Sequence, residues 1–209
     1  MGGTTAKGAL IRNGRAIKEY QQEVARVHGF KAGSGLPVKA PVIDMIEIGA
    51  GGGSIAKINE VGLLEVGPES SGSDPGPICY GKGGKNPTIS DANFLLGRLS
   101  PKSLNINENL EINESTEVIL KNKISEKLKL NNFQSAEAIL KIANNKMANA
   151  IRMVSISIGE DPREFSLFSF GGAGPMHACE LARELDIPKV FIPARPGLTN
   201  ALGCLVADL

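Results

Sequence analysis

Three glycine clusters hold the residues whose types and spacing could do chemistry. Gly2, Gly3, Thr4 and Thr5 offer successive backbone N–H groups and two hydroxyls. Such a set can cradle phosphate oxygens, or simply form a turn. Residues 49–54, "GAGGGS", look like a dinucleotide fingerprint. That fingerprint opens a helix, whereas strand-like residues follow here, so Gly51 and Gly52 are read as a close-approach loop or hairpin turn. Residues 170–175, "FGGAGP", stand where a strand hands over to a helix. Gly171, Gly172, Ala173 and Gly174 there serve either a tight turn packed for shape, or a main chain lying against a ligand beside a helix N-terminus.

Single polar residues add candidates. Asp44 precedes the second cluster and could orient a metal-bound water or substrate, or cap a turn. Asp74 in "SDPGP" suits an Asx turn, and Asp91 a helix cap. His177 falls in the first turn of the helix after the third cluster, where the N-terminus favours a neutral imidazole. Its role is either chemistry or packing. Cys179 on the same helix is assigned to the core.

Positioning these residues takes a mixed α/β architecture. Asn13-Gly14 between short apolar runs predicts a β-hairpin over 8–17, and 22–30 reads as a third strand. Residues 46–56 read as strand, glycine loop, strand, and 61–84 as a long ordered loop rich in Gly, Pro and Ser. A helix over 88–99 is capped at Ser90 or Asp91. The stretch 101–134 is a variable polar insertion: 101–113 is surface, and 114–128 is helical with Leu120, Ile124 and Leu128 on one face. Apolar residues at helical spacing predict a long helix over 135–158, stopped by Gly159 and Pro162. Strand 165–170, helix 175–185, strand 189–193 and helix 198–206 follow. Residues 165–193 thus form a β-α-β unit with parallel strands.

Composition narrows the function. The 209 residues carry 23 Lys and Arg against 22 Asp and Glu, so no field draws in nucleic acid or an anionic membrane. No apolar run spans a bilayer, and no basic-then-apolar pattern marks a signal peptide. Three scattered cysteines fit free thiols in a reducing cytoplasm, and two histidines exclude a His-rich metal cluster.

The motifs "MGGTT", "IGAGGGSIA", "VGPESSGSDPGPICYGKGG", "PTISDANFLLGRL", "ANNKMANAIRMVSI", "FGGAGPMHA" and "PGLTNALGCLVADL" occur in that order. Together they resemble the hydantoinase A/5-oxoprolinase family, which includes ATP-dependent N-methylhydantoinases and acetone carboxylase subunits. The resemblance implies one lobe of an actin-like or sugar-kinase-like ATPase fold, a mixed sheet with a β-hairpin start and a β-α-β end. It implies ATP and Mg²⁺ as cofactors, with Gly2, Gly3, Thr4 and Thr5 at the phosphates. Gly51 and Gly52 would join that cofactor site, and residues 171–174 would lie on the adenosine side. Asp44 and His177 would be catalytic; the metal ligands stay open.

The implied activity is ATP-driven opening of 5-oxoproline or a hydantoin through a phosphorylated intermediate. Two alternatives are a ketone carboxylase subunit and a non-catalytic nucleotide-binding lobe. A hydantoinase B-type subunit or fused domain, and an oligomeric cytoplasmic assembly, are the implied partners. The family places Thr-Asp after the Gly-Gly-Thr-Thr run, where this sequence has Ala6 and Lys7. It also places an Asp just before position 1, so the chain is expected to be a piece of a longer protein that begins inside a phosphate motif.

Overall fold

A computed structural model describes residues 1–24, 35–100 and 110–207. Its first part is a run of short antiparallel pairs. Strand β1 (Ala6–Gly8) pairs with β8 (Ile46–Ile48), and between them lie three further pairs. The first in sequence is the expected hairpin, β2 (Ile11–Arg12) with β3 (Arg15–Ala16), turned by Asn13 at φ 51° and Gly14 at φ 73°. Two positive φ values match the right-handed twist of the strands, which is why Asn-Gly stands there. Next, β4 (Lys18–Glu19) pairs with β7 (Val42–Ile43), and β5 (Gln22–Val24) with β6 (Leu36–Val38). The expected third strand is present as β5; the rest of 22–30 lies outside the described residues, as do 101–109 of the surface segment.

Strand β9 (Ser54–Ile58) pairs with β10 (Leu64–Ser70). Residues 64–70 of the predicted 61–84 loop are therefore strand. The alternation of Leu64 and Val66 toward the core was masked by Gly67 and Pro68, which make a register shift between Val66 and Ser70 rather than a break. Among the described residues the strands form six two-stranded sheets, not one continuous mixed sheet. Most are two or three residues long, too short to carry a wide sheet.

The second part is helical. Helix α1 (Ile89–Leu95) starts at Thr88, not at Ser90 or Asp91: Thr88 is the cap and Asp91 its reciprocal partner. Helix α2 (Leu110–Leu120) runs through a π-helical turn (Lys121–Ser125) into α3 (Glu126–Leu128). Helix α4 (Asn132–Ser155) is the long predicted helix, begun three residues earlier by an Asn131–Gln134 capping box. Gly159, at φ 83°, ends the 3₁₀ turn that follows it. Strand β11 (Ser166–Phe168), helix α5 (Pro175–Glu184) and strand β12 (Lys189–Phe191) form the β-α-β unit, with Leu167 opposite Val190 in parallel register. Helix α6 (Thr199–Val206) closes the described chain, with Leu202, Leu205 and Val206 exposed.

Helix α4 is the centre of the core. Ile139, Leu140, Ala143 and Met147 pack with Ile89, Leu120, Ile124 and Val66. From α5, Leu181, Ala182 and Leu185 join the same cluster, and the neighbouring Ala178 is buried as well. Cys179, expected in that core, is exposed: it follows Ala178 on the helix and turns off the apolar stripe. The burial that fixes α4 and α5 also fixes the turn at 170–174, because α5 begins there.

Candidate functional site

The three glycine clusters meet. The carbonyl of Met1 accepts from Ala173 N at 3.2 Å and Gly174 N at 3.3 Å, and the nitrogen of Met1 donates to Phe170 O at 3.0 Å. On the other side, Gly52 N donates to Gly2 O at 2.9 Å and Gly53 N to Gly3 O at 2.6 Å. Gly52 O in turn accepts from Ser90 N at 2.7 Å, tying the start of α1 to the same loop. Residues 1–3 are thus held between two loops, one of them about 170 positions away in sequence.

These glycines fall into two groups. A Cβ on Gly51 would lie 2.5 Å from the backbone of Gly3 and Thr4. A Cβ on Gly171, which holds φ +88°, would run into the backbone of Met1, and one on Gly174 into Phe170 O. At these positions the missing side chain makes room for the chain itself. Gly2, Gly3 and Gly172 are exposed, and a Cβ there would meet nothing within 4 Å. The N–H groups of Gly3 and Thr4 bond to none of the described residues. Thr4 is exposed, and its Oγ1 lies 3.5 Å from Ser70 Oγ. This is an open surface of neutral donors, suited to an oxyanion. Lys7 is the nearest basic residue in sequence, but Glu47 opposes it across the β1–β8 ladder with Nζ 3.5 Å from the carboxylate.

His177 lies beneath this surface, fully buried, with its N–H bonded to Gly174 O at 3.0 Å. Its Nδ1 is 2.7 Å from Asn144 Oδ1. Asn144 Nδ2 donates at 2.5 Å to Glu180, which pairs at 2.6 Å with Arg98. A carboxylate only accepts, so Asn144 must turn its amide nitrogen to Glu180 and its oxygen to His177. The proton of the imidazole then sits on Nδ1, and Nε2 is a buried acceptor with no partner among the described residues. Burial pulls the pKa of His177 down to about 4, so the ring is neutral. Sequence reasoning missed this relay. Its signal was Asn144, a polar residue within the apolar stripe of α4.

Asp44 and Asp91 are each held by the fold. Asp44 is half-buried and its N–H donates to Ile17 O at 2.8 Å, which ties it to the first strands. Asp91 is fully buried and accepts from Cys79 N at 2.7 Å, Thr88 N at 2.8 Å and Thr88 Oγ1 at 2.8 Å. Burial raises its pKa against the pull of these donors, and raises that of the Cys79 thiol beside it. A cleft lies away from the glycine clusters, between the end of α4 and the end of α5. Within it Arg152 pairs with Glu184 and Arg163 with Asp161.

A family model described as Hydantoinase/oxoprolinase matches residues 1–209. The chain belongs to this family. Among its relatives, an uncharacterized protein of Methanocaldococcus jannaschii is 45% identical over 100% of this chain and 31% of its own length. The caprolactamase subunit alpha of Pseudomonas jessenii is 37% identical over 100% of this chain and 29% of its own length. The crystal structure of the ATP-dependent caprolactamase from that organism superposes with a TM-score of 0.81 at 36% identity, over 100% of this chain and 29% of that one. A nucleotide-free acetone carboxylase structure gives a TM-score of 0.86 at 26% identity, over 100% of this chain and 28% of that one. This member of the hydantoinase/oxoprolinase family therefore spans under a third of the length of the curated relatives named here. No helix among its described residues is long and apolar enough to cross a membrane.

Proposed function

We propose that this chain is one lobe of an actin-like or sugar-kinase-like ATPase, and that its joined glycine loops lie against ATP in an enzyme that opens cyclic amides. The observation that carries the reading is the lacing of Met1 to Ala173 and Gly174, which puts the free N–H groups of Gly3 and Thr4 beside the 170–174 turn. A nucleotide needs phosphate donors at one end of a pocket and backbone that admits the nucleoside at the other. Gly2, Gly3, Thr4 and Thr5 would hold phosphates; Gly172, open and exposed, would face the nucleoside. Gly51, Gly52, Gly171 and Gly174 would position these contacts through close backbone packing. Mg²⁺ would arrive with the nucleotide and offset the charge of its phosphates.

A lactam carbonyl is a poor electrophile. Transfer of the terminal phosphoryl group to its oxygen activates the carbon; one water adds there, the C–N bond breaks as a proton passes to nitrogen and opens the ring, and a second water hydrolyses the resulting acyl phosphate to carboxylate and phosphate. The protein's share is positioning and neutralising charge. Caprolactamase, a relative named for a lactam, favours this reading, with 5-oxoproline, hydantoins and lactams as the substrate class. The superposition on acetone carboxylase favours a second, in which ATP activates a ketone or bicarbonate. A partner of the hydantoinase B type, as a subunit or fused domain, would complete either enzyme. The intact protein is expected to release phosphate from ATP only when a cyclic amide is present. Release that needs bicarbonate and a ketone instead would select the carboxylase, and release with neither co-substrate, or none at all, would contradict both.

A further inference from the structure

We infer that Ser70 donates, together with Thr4, to a terminal phosphoryl oxygen of a nucleoside triphosphate, while Ser71 beside it is structural; this rests on the reading of the joined loops as a phosphate site. The two hydroxyl oxygens are 3.5 Å apart. At that distance they hold each other weakly, yet one oxygen set between them falls within ordinary hydrogen-bonding range of both. Ser70 Oγ already accepts from Gly72 N at 3.2 Å. One lone pair is therefore occupied from the turn side, where Gly72 at φ 64° folds the chain back, and the hydroxyl hydrogen remains to be given.

Ser71 differs. Its N–H and its hydroxyl both donate to Gly53 O, at 2.8 Å and 3.2 Å, so its hydrogen is committed inside the fold. Gly53 sets the arrangement. A Cβ there would lie 3.0 Å from Ser70 Oγ, 3.1 Å from Ser71 Oγ and 3.1 Å from Gly3 O, so glycine is what lets the two serines close on residues 2–5.

The result is four donors on one surface: the N–H groups of Gly3 and Thr4 and the hydroxyls of Thr4 and Ser70. N–H groups repel a cation, and the neighbouring Glu69 is taken by Lys57 at 2.9 Å, so the set selects an oxyanion. Met1 is the residue bonded to the 170–174 turn, whereas the hydroxyl pair joins Thr4 to the end of β10. Of the phosphates of a nucleotide entering from that turn, the last reaches it.

Calorimetry on the intact protein with Mg²⁺ tests this, using the β,γ-imido analogue of ATP beside ADP. Ser70→Ala and Thr4→Ala should each weaken the analogue about tenfold and ADP less than twofold, as loss of one bond to a charged group predicts. Ser70→Thr should restore the analogue. Ser71→Ala should lower the unfolding midpoint and leave the ratio of the two affinities unchanged. Ser70→Cys, close in size but a weak donor, serves as a second variant without the hydroxyl. If Thr4→Ala weakens the analogue and neither Ser70 variant does, the role of Ser70 is overturned and the phosphate site stands. If neither position matters, or no nucleotide binds, the phosphate site itself fails. Equal losses for ADP and analogue would overturn the assignment to the terminal phosphate.

Discussion

Gly51 and Gly172 are the same residue with opposite prospects. A methyl group at 51 would press on the backbone of Gly3 and Thr4 at 2.5 Å, whereas at 172 it would meet nothing within 4 Å. Gly51→Ala should cost about 2–3 kcal/mol by denaturant titration, the usual range for overpacking, and Gly172→Ala should stay within about 0.5 kcal/mol. The sequence showed glycines gathered where a backbone must come close. It did not show what comes close, because residues 2–5, 49–54 and 170–174 meet only through tertiary structure.

His177 gives a test of its own. In the fold it stays neutral down to about pH 4, while the unfolded chain takes up a proton near 6.5. Between those values the unfolded chain binds more protons, so acid favours unfolding. The stability due to this group is complete above pH 6.5 and is lost as pH falls toward 4, by at most about 3 kcal/mol. His177→Asn, which cannot take the proton, should remove that part of the slope. Urea midpoints for both proteins between pH 7 and 4.5 would show it; identical slopes would contradict the buried neutral ring. Its place in a helix's first turn was legible in sequence; its depth and its Asn144 partner depended on α4 packing over α5.

At the scale of elements, the junction before α1 does two jobs with one carboxylate. Asp91 closes the capping box with Thr88 and holds the N–H of Cys79 at the end of the 61–84 segment. Asp91→Ala would leave the buried N–H groups of Cys79 and Thr88 unbonded, at about 1–3 kcal/mol each. A fall of about 3 kcal/mol in unfolding free energy is expected, with the denaturant slope unchanged. Asp91→Asn, which keeps an acceptor, should cost less. Helices were the most legible elements, since α4 and α5 announce themselves by apolar spacing and by Pro175 at the first turn. Strand β10 was not, because Gly67 and Pro68 interrupt its pattern with a register shift that the β9 partner absorbs.

For the whole molecule, what matters is which surface the fold leaves open. The cleft between Arg152 and Arg163 has both of these cations paired, with Glu184 and Asp161, while the joined glycine loops present N–H groups that bond to none of the described residues. The mixed class and the β-α-β end were legible from the order of elements; the breakup of the strands into six pairs was not, because pairing partners are set at long range. The central claim is that residues 2–5 and 170–174 act as one nucleotide site. Hydrogen exchange on the intact protein, with and without the β,γ-imido analogue of ATP and Mg²⁺, tests it most directly. Amides of Gly3, Thr4 and Gly172 are expected to become protected together over one titration. Protection confined to the cleft around residues 152–163, or to only one of the two loops, would contradict it.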